Sequence, residues 1–166
     1  TVSYDPRKDA TYAVVFPFLD ELIEAVHPRA IHIGHDEAFG WTVGQVSKWL
    51  KLGEVMIPAD LFLRDVVRVH DYLGKKGVET WMWADMVLSP AEFPGAQTRH
   101  LHGIAAGYGK ALRQQLPRDI VMCDWHYGDE QGSFPSIDIM QGEGFRVIGA
   151  TWKQESATRK FSRYAL

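Results

Sequence analysis

Two adjacent carboxylates, Asp36 and Glu37, follow a short apolar run within residues 31–41, which read IHIGHDEAFGW. Neighbouring acids repel each other unless their surroundings differ, so that one stays ionised while the other keeps its proton. Such a pair can supply a general acid and a charge-stabilising carboxylate to one site. His32 and His35 lie beside the acids and raise a second hypothesis, that of a metal site.

The alternation of side chains along a strand bears on the metal hypothesis. If residues 30–34 form a strand, the two isoleucines of the segment face the helices, whereas His32 and Asp36 face the opposite side. His35 has the opposite parity to His32, so the two imidazoles should point apart. We therefore expect no metal at this site. We also expect that the chain uses no cofactor. Glu37 lies where the strand gives way to a loop, and it can turn toward the same pocket as Asp36.

The composition is that of an ordinary globular domain. The 166 residues are 46% hydrophobic and 12% aromatic, which is sufficient for one domain with a core. Eighteen basic and 21 acidic residues leave a formal charge of −3. This balance offers no broad basic surface to nucleic acid or to an anionic membrane. The single cysteine, Cys123, excludes an intrachain disulfide framework and a cysteine-rich zinc module.

The sequence does not fix a cellular compartment. No apolar run approaches the roughly 20 residues of a membrane span. The amino-terminal stretch TVSYDPRKDA is polar and does not resemble a signal peptide. We expect a soluble protein, either cytoplasmic or secreted.

Helical and strand patterns alternate along the whole chain. Apolar residues at the helical period predict helices over residues 9–27, 43–52, 59–76, 103–116 and 136–142, and from residue 153 onward. Short apolar runs predict strands over residues 30–34, 78–84, 119–125 and 145–151. Asp9 is expected to cap the first helix, and Pro17 to kink it. Residues 89–102 contain prolines and a glycine and predict a long loop.

This alternation is typical of parallel α/β units. No glycine-rich phosphate loop follows a predicted strand, which argues against a nucleotide-binding doubly wound fold. Polar and aromatic residues instead gather where the strands end: Asp36, Glu37, Trp83, Asp85, Asp124, Trp125, Tyr127 and Trp152. Functional residues gather in this way in a (β/α) barrel, which needs more than four strands to close. The fold class predicted is α/β, a partial (β/α)8 TIM barrel of about four parallel βα units.

Three segments resemble one known family. HIGHDE, residues 32–37, resembles the H-x-G-G-D-E motif of family 20 glycoside hydrolases, the β-N-acetylhexosaminidases, whose catalytic domain is a (β/α)8 barrel. TWMWADM, residues 80–86, resembles the next strand of that family, which ends in a tryptophan followed by an acid. Asp124 and Trp125 are similar to its strand six. By this resemblance, residues 1–166 form the C-terminal part of such a domain and cover strands four to seven.

The resemblance implies a reaction and roles for the acids. The reaction would be hydrolysis of terminal β-linked N-acetylhexosamine (GlcNAc or GalNAc) by a substrate-assisted retaining mechanism, with an oxazolinium intermediate formed by the sugar's own acetamido group. Glu37 would protonate the leaving oxygen and then activate water, and Asp36 would hold the acetamido N–H. The resemblance also implies a set of substrate-binding residues, namely His32, Trp83, Asp85, Trp125, Tyr127 and Trp152.

The sequence departs from the family pattern at two places. His35 stands where the motif has its second glycine, and the resemblance gives this histidine no role. The tyrosine that follows strand seven in the family has no counterpart after the last predicted strand. Tyr127 is a candidate to supply that hydroxyl.

Several residues allow two interpretations. Asp85 could bind a sugar hydroxyl or cap the following turn, and Trp152 could wall the pocket or pack in the core. Asp124 could face the sugar or be a buried partner of His126. Glu143 is most simply a solvated loop charge.

Two classes of function stay open, a glycosidase and a non-catalytic carbohydrate-binding relative. A hydrolase acting on a sugar without an acetamido group is a weaker third. The expected partner is an N-acetylhexosamine-containing glycan or glycoside, with no nucleic acid and no membrane. An incomplete barrel exposes a strand edge, so remaining barrel segments or a second copy of the chain, as a homo-oligomer, should cover it. The 166 residues alone are expected to be weakly active or inactive.

Overall fold

The computed structural model describes residues 4–38, 56–94, 100–130 and 132–165. The helices in these ranges are α1 (Asp9–Val26), α2 (Ala59–Lys75), α3 (Tyr108–Gln115), α4 (Pro135–Gly142) and α5 (Glu155–Ala165). The strands are β1 (Ala30–His32), β2 (Glu79–Trp83), β3 (Val121–Trp125) and β4 (Arg146–Ala150). Two 3-10 turns, Asp85–Val87 and Pro90–Glu92, follow β2. The helix predicted over residues 43–52 lies outside the described residues.

The four strands form one parallel sheet in the order β1-β2-β3-β4. In the register, Ile31 pairs with Thr80, and Met82 pairs with Met122. Strands that are consecutive in the chain are thus neighbours in the sheet, with a helix between each pair, as in the wall of a (β/α) barrel. All four carboxyl ends consequently lie at one edge of the sheet.

The helices cover one face of the sheet and form the core with it. The strand side chains Met82 and Met122 point to this face and are fully buried. A second cluster joins α1 to β1 and α2, and it contains Tyr12, Leu19, Ile31, Val69, Leu73 and Val78. Burial of each large apolar side chain contributes about 1.5–3 kcal/mol. Within the described ranges, no helix is both long enough and apolar enough to cross a membrane.

The side chains of β1 and β2 alternate between the two faces as predicted. On β1, Ile31 is buried against the helices and His32 is exposed on the opposite face. On β2, Thr80 and Met82 are buried, while the tryptophan that ends the strand, Trp83, is half-buried on the same face as His32. The face opposite the helices is therefore lined by the residues that the sequence assigned to the barrel interior.

Helix α1 differs from the prediction at its start. Asp9 is the first helical residue and Lys8 is the N-cap, without a side-chain capping bond. The expected cap at Asp9 is therefore wrong. Its carboxylate instead accepts a hydrogen bond from Arg68 of α2, at 2.8 Å. The helix continues past Pro17 and ends at Val26. His27 is the C-cap, and its left-handed backbone (φ 49°) closes the last turn.

Helix α3 is shorter than the predicted 103–116. Gly107 has a φ of 72°, in the left-handed region, and immediately precedes the first helical residue. Gly103 lies further upstream, against the turn after β2, where an added Cβ would lie 2.8 Å from the carbonyl oxygen of Met86. Gly103 is therefore packed against that turn, and residues 104–107 form an exposed connection before the helix. The other described elements differ from their predicted bounds by only a few residues at the ends.

Candidate active site

Residues 34–38, which we call the acid loop, carry the two carboxylates beyond the end of β1. Three of them have left-handed backbone, with φ values of 76° at Gly34, 67° at His35 and 49° at Glu37. This conformation costs about 1–2 kcal/mol at a residue other than glycine, so the surroundings must hold the loop in place. The loop leaves the alternation of the strand. Asp36 is exposed, and Glu37 is half-buried.

Strand β2 supports the first residues of the acid loop. The N–H of Ile33 donates to the carbonyl of Trp81 at 2.8 Å, and the N–H of Trp83 donates to the carbonyl of Gly34 at 3.0 Å. These bonds continue the ladder past the last residue of β1. The predicted strand end at residue 34 therefore agrees with the hydrogen bonds, although regular strand ends at His32.

Asp85, the first residue after β2 and Ala84, holds the second half of the acid loop by a hydrogen bond. Its side chain is 0% exposed. Its Oδ2 accepts hydrogen bonds from the backbone N–H of Glu37 and from Nδ1 of His102, both at 2.8 Å. The contacts of Asp85 thus connect two protein groups, a role that neither sequence alternative described. Sequence reasoning missed His102, because no spacing pattern links a histidine after a long loop to this carboxylate.

The surroundings of Glu37 favour its protonated form. Burial is the main cause that raises the pKa of Glu37, and the negative charges of Asp36 and Asp85 raise this pKa further. The charge of His102 acts in the opposite direction. Glu37 therefore keeps its proton to a higher pH than an ordinary glutamate, as proton donation to a leaving group requires.

Aromatic side chains lie on the same side as the acids. The rings of His32 and Trp83 are 4.5 Å apart between centroids. Trp125, at the end of β3, stacks on Tyr127 with centroids 5.0 Å apart, and Tyr127 meets the edge of Trp152 at 5.6 Å. Trp152 is 56% exposed. Of its two interpretations, a place in the core is therefore wrong.

Tyr127 shares the electrostatic surroundings of the acids. Burial raises the pKa of its hydroxyl, and the charges of Asp36, Asp85 and Glu37 raise this pKa further. A neutral phenol beside carboxylates can donate its O–H. The structure therefore brings Tyr127 near the acids from a different strand, although which group it contacts stays a prediction.

Asp124 lies on the other side of β3. It is 1% exposed, and its Oδ2 accepts hydrogen bonds from Ser136 Oγ at 2.6 Å and from His126 Nε2 at 3.1 Å. Of the two interpretations of Asp124, the structure supports the buried partner of His126.

The two histidines of the motif point apart, as strand parity predicts. His32 packs against Trp83 on the open face, whereas His35 reaches Asp65 of α2 on the helical side. Among the residues that the structure describes, no group of three or more His, Cys, Asp or Glu side chains could hold a metal ion.

Comparison with known protein families gives a match over most of the chain. The family model described as glycosyl hydrolase family 20, catalytic domain, matches residues 1–153. A comparison with curated proteins found no match.

Two solved structures share the fold. A β-N-acetylhexosaminidase from Bacteroides fragilis NCTC 9343 has a TM-score of 0.53 and 20% identity, over 89% of this chain and 25% of that chain. Dispersin B has a TM-score of 0.52 and 16% identity, over 95% of this chain and 41% of that chain. This chain thus spans less than half the length of either structure. The likeness confirms the predicted fold class, an α/β chain forming part of a TIM barrel.

The family model covers most of the chain and includes the acid loop and all four strands. This chain belongs to glycosyl hydrolase family 20.

Proposed function

We propose that this chain supplies the acid pair of an enzyme that removes terminal β-linked N-acetylhexosamine from glycans or glycosides. The observation that carries the proposal is the place of Asp36 and Glu37 on a strained loop at the carboxyl edge of the sheet, with burial raising the pKa of Glu37. Membership of a glycosyl hydrolase family supports hydrolysis. The name of the Bacteroides fragilis relative supports N-acetylhexosamine as the sugar.

In the first step, the carbonyl oxygen of the substrate's 2-acetamido group forms a bond to the anomeric carbon as the bond from that carbon to the glycosidic oxygen breaks. Glu37 gives its proton to the departing oxygen. Asp36 accepts a hydrogen bond from the acetamido N–H and stabilises the positive charge of the oxazolinium ring. Adjacent acids suit this chemistry because one serves the leaving group and the other serves the internal nucleophile.

In the second step, Glu37 acts as a carboxylate and takes a proton from water. The water oxygen bonds to the anomeric carbon while the bond to the acetamido oxygen breaks, which restores the acetamido group. Glu37 regains its proton, and the sugar keeps its anomeric configuration because it was inverted twice.

The aromatic residues bind the sugar in this proposal. Trp83, Trp125 and Trp152 offer apolar faces to the sugar ring and to the acetamido methyl group. Tyr127 donates its hydroxyl to the acetamido oxygen and so replaces the tyrosine that the family carries after strand seven.

His32 and Asp85 act next to the acids. The ring of His32 packs against Trp83, and in this proposal His32 orients the carboxylates. Asp85 holds the backbone of Glu37, so its effect on the sugar runs through that residue.

We further propose that residues 1–166 are the C-terminal part of a (β/α)8 catalytic domain. The relatives of known structure are much longer than this chain, and the open edges of the sheet need cover, from remaining barrel segments or from a second copy. The chain alone should release a chromogenic aglycone from a β-N-acetylglucosaminide weakly or not at all. An assay beside the complete protein tests this, and equal rates would contradict it.

Glu37→Gln in the complete protein tests the proposed function directly. The amide cannot donate the catalytic proton, so kcat should fall by about 10²–10⁴-fold while the sugar still binds. The measurements are turnover of the chromogenic glycoside and calorimetric binding of N-acetylglucosamine. A carbohydrate-binding relative would instead show no turnover in either protein and equal binding in both.

A thiazoline analogue of the oxazolinium ring tests the mechanism separately. Tight competitive inhibition is expected if the acetamido group is the nucleophile. Turnover without inhibition by the analogue would indicate a hydrolase for a sugar that lacks this group.

A further inference from the structure

His35 is the residue of the acid loop that the proposed function leaves unused. It occupies a left-handed backbone position, with φ 67°, where the family motif has glycine. Its side chain is 9% exposed and points to the helical side, where its ring meets the edge of Phe62. A buried, titratable ring at a strained position needs bonds that keep it there.

Both ring nitrogens of His35 face hydrogen-bond acceptors. Nδ1 lies 3.0 Å from the carbonyl oxygen of Ile33, and Nε2 lies 2.9 Å from Oδ2 of Asp65. A backbone carbonyl can only accept, so Nδ1 carries a hydrogen. Whether Nε2 also carries a hydrogen then depends on whether Asp65 is ionised.

Asp65 has the surroundings of an ionised carboxylate. Its Oδ1 accepts the hydroxyl hydrogen of Tyr12 at 2.6 Å, and its Oδ2 accepts that of Tyr4 at 2.7 Å. Burial alone would raise the pKa of Asp65, but the bond and charge of His35 and the two tyrosine bonds together lower this pKa. An ionised carboxylate has no hydrogen to donate, so Nε2 of His35 must also carry one.

We propose that His35 is a doubly protonated positioning residue, whose imidazolium anchors the acid loop to the carboxylate of Asp65 on α2. Its role in catalysis rests on the proposed function, whereas its protonation state does not. The anchor holds the backbone on the amino side of Asp36, while Asp85 holds that of Glu37.

The groups that surround the anchor come from three elements. Asp65 is presented by α2, Tyr12 by α1, and Tyr4 by the segment before α1. The guanidinium of Arg68 lies 3.6 Å from the ring centroid of Tyr12. The other titratable or charged neighbours are Arg64, near Tyr12, and His32 and Asp36 on the strand and loop.

The first experiment measures the protonation state in the complete protein. Nitrogen-15 NMR of labelled histidine at pH 7 should show hydrogens on both ring nitrogens of His35. In Asp65→Asn the amide can donate to Nε2, so the ring should become neutral without losing the contact. A wild-type ring with only one protonated nitrogen would overturn the proposal.

The second experiment measures the effect on catalysis. His35→Gly should lower kcat by roughly tenfold, because the acid loop loses its bond to α2 and the acids lose their fixed geometry. Asp65→Asn should lower kcat by a smaller factor, because a neutral hydrogen bond holds the loop less firmly than a charged one. The KM should stay within about twofold of the wild type, since the sugar-binding aromatics are untouched. Tyr4→Phe, at a position that is 39% exposed, removes one donor to Asp65 with less disturbance and should lower kcat by about twofold.

Tyr72→Phe is the matched control. The Tyr72 hydroxyl donates to Asp20 at 2.8 Å and so joins the same two helices, away from the acid loop. Its kcat should equal that of the wild type. If Asp65→Asn keeps the wild-type kcat as this control does, His35 is no positioning residue. If the wild type hydrolyses no N-acetylhexosaminide, the proposed function fails, while the NMR result still decides the protonated anchor.

Discussion

The carboxyl ends of β1 and β3 carry similar residues in opposite settings. Each has an aspartate and a histidine close together in the sequence at the end of a parallel strand. At β1, Asp36 lies exposed on a loop with left-handed backbone. At β3, Asp124 is buried and bonded to Ser136 and His126. The residue types alone do not distinguish an open site from a closed one.

The length of each strand explains the difference. β3 pairs with β4 through Trp125, and Asp124 lies in register with Gly149, so the ladder keeps Asp124 on the helical side with Met122. β1 ends at His32, before its acids. Because ladder bonds impose alternation, an acid can turn toward an open face more freely once it has left the ladder.

Electrostatics separates the two ends in the same way. At the end of β1, which we call the open end, burial and the charges of two carboxylates raise the pKa of Glu37. At the end of β3, which we call the closed end, burial and the charge of His126 lower the pKa of His100 to about 4. The rings of these two histidines lie 3.7 Å apart. His100 is therefore neutral near pH 7, and the closed end contributes packing and hydrogen bonds.

The largest expected effect is on stability and belongs to the closed end. Asp124→Ala leaves Ser136 and His126 buried without their carboxylate, and the free energy of unfolding should fall by roughly 3 kcal/mol. Urea denaturation of the complete protein measures it, and kcat of the folded fraction should be unchanged. A loss of kcat with normal stability would place Asp124 in the site.

Asp36→Asn should lower catalysis and leave stability unchanged, which is the opposite of the result expected for Asp124→Ala. If the proposed mechanism holds, the amide does not balance the oxazolinium charge, so kcat should fall by about 100-fold, or 2.7 kcal/mol of barrier. The free energy of unfolding should stay within about 0.5 kcal/mol, because the side chain is exposed. Steady-state kinetics measures the fall in kcat, and urea denaturation measures the free energy of unfolding. A large loss of stability would show that Asp36 stabilises the fold as Asp124 does.

Trp125→Ala tests whether the aromatic residue at the end of β3 serves the open face. Loss of its ring should raise KM about tenfold, equivalent to about 1.4 kcal/mol of binding. Trp81→Ala is the control, since Trp81 lies one residue pair deeper than the strand-end Trp83 and its indole N–H bonds to Glu79. An equal rise in KM for both variants would show that the effect is not local to the site.

The smallest expected effect is on the pH profile. In the proposed mechanism, Glu37 must carry its proton when the substrate binds, and kcat/KM reports the pKa of this group in the free enzyme. Because that pKa is raised, the protonated form persists to higher pH. The alkaline limb of kcat/KM should therefore lie above the ordinary pKa of glutamate. His100→Gln should leave this limb in place, because His100 is already neutral there. A limb in the ordinary range would contradict the described surroundings of Glu37.

Patterns that repeat within a few residues were predictable. The alternation of Ile31 and His32, the parallel sheet and the divergence of His32 from His35 follow from strand and helix periodicity. The expected solvation of Glu143 was wrong. Its carboxylate bonds to the guanidinium of Arg113 at 2.9 Å, and Arg113 is fully buried. That pair joins residues 30 positions apart, which no local period describes.

By itself, the sequence determined where the acid pair lies, on which strand and beside which aromatic residues. Only the tertiary structure decided which groups hold that pair. Asp65 meets His35 across 30 residues, and Asp85 meets Glu37 across 48. Local propensity acts over a few residues, whereas these bonds form only when the packing of α2 and β2 against β1 brings distant side chains together.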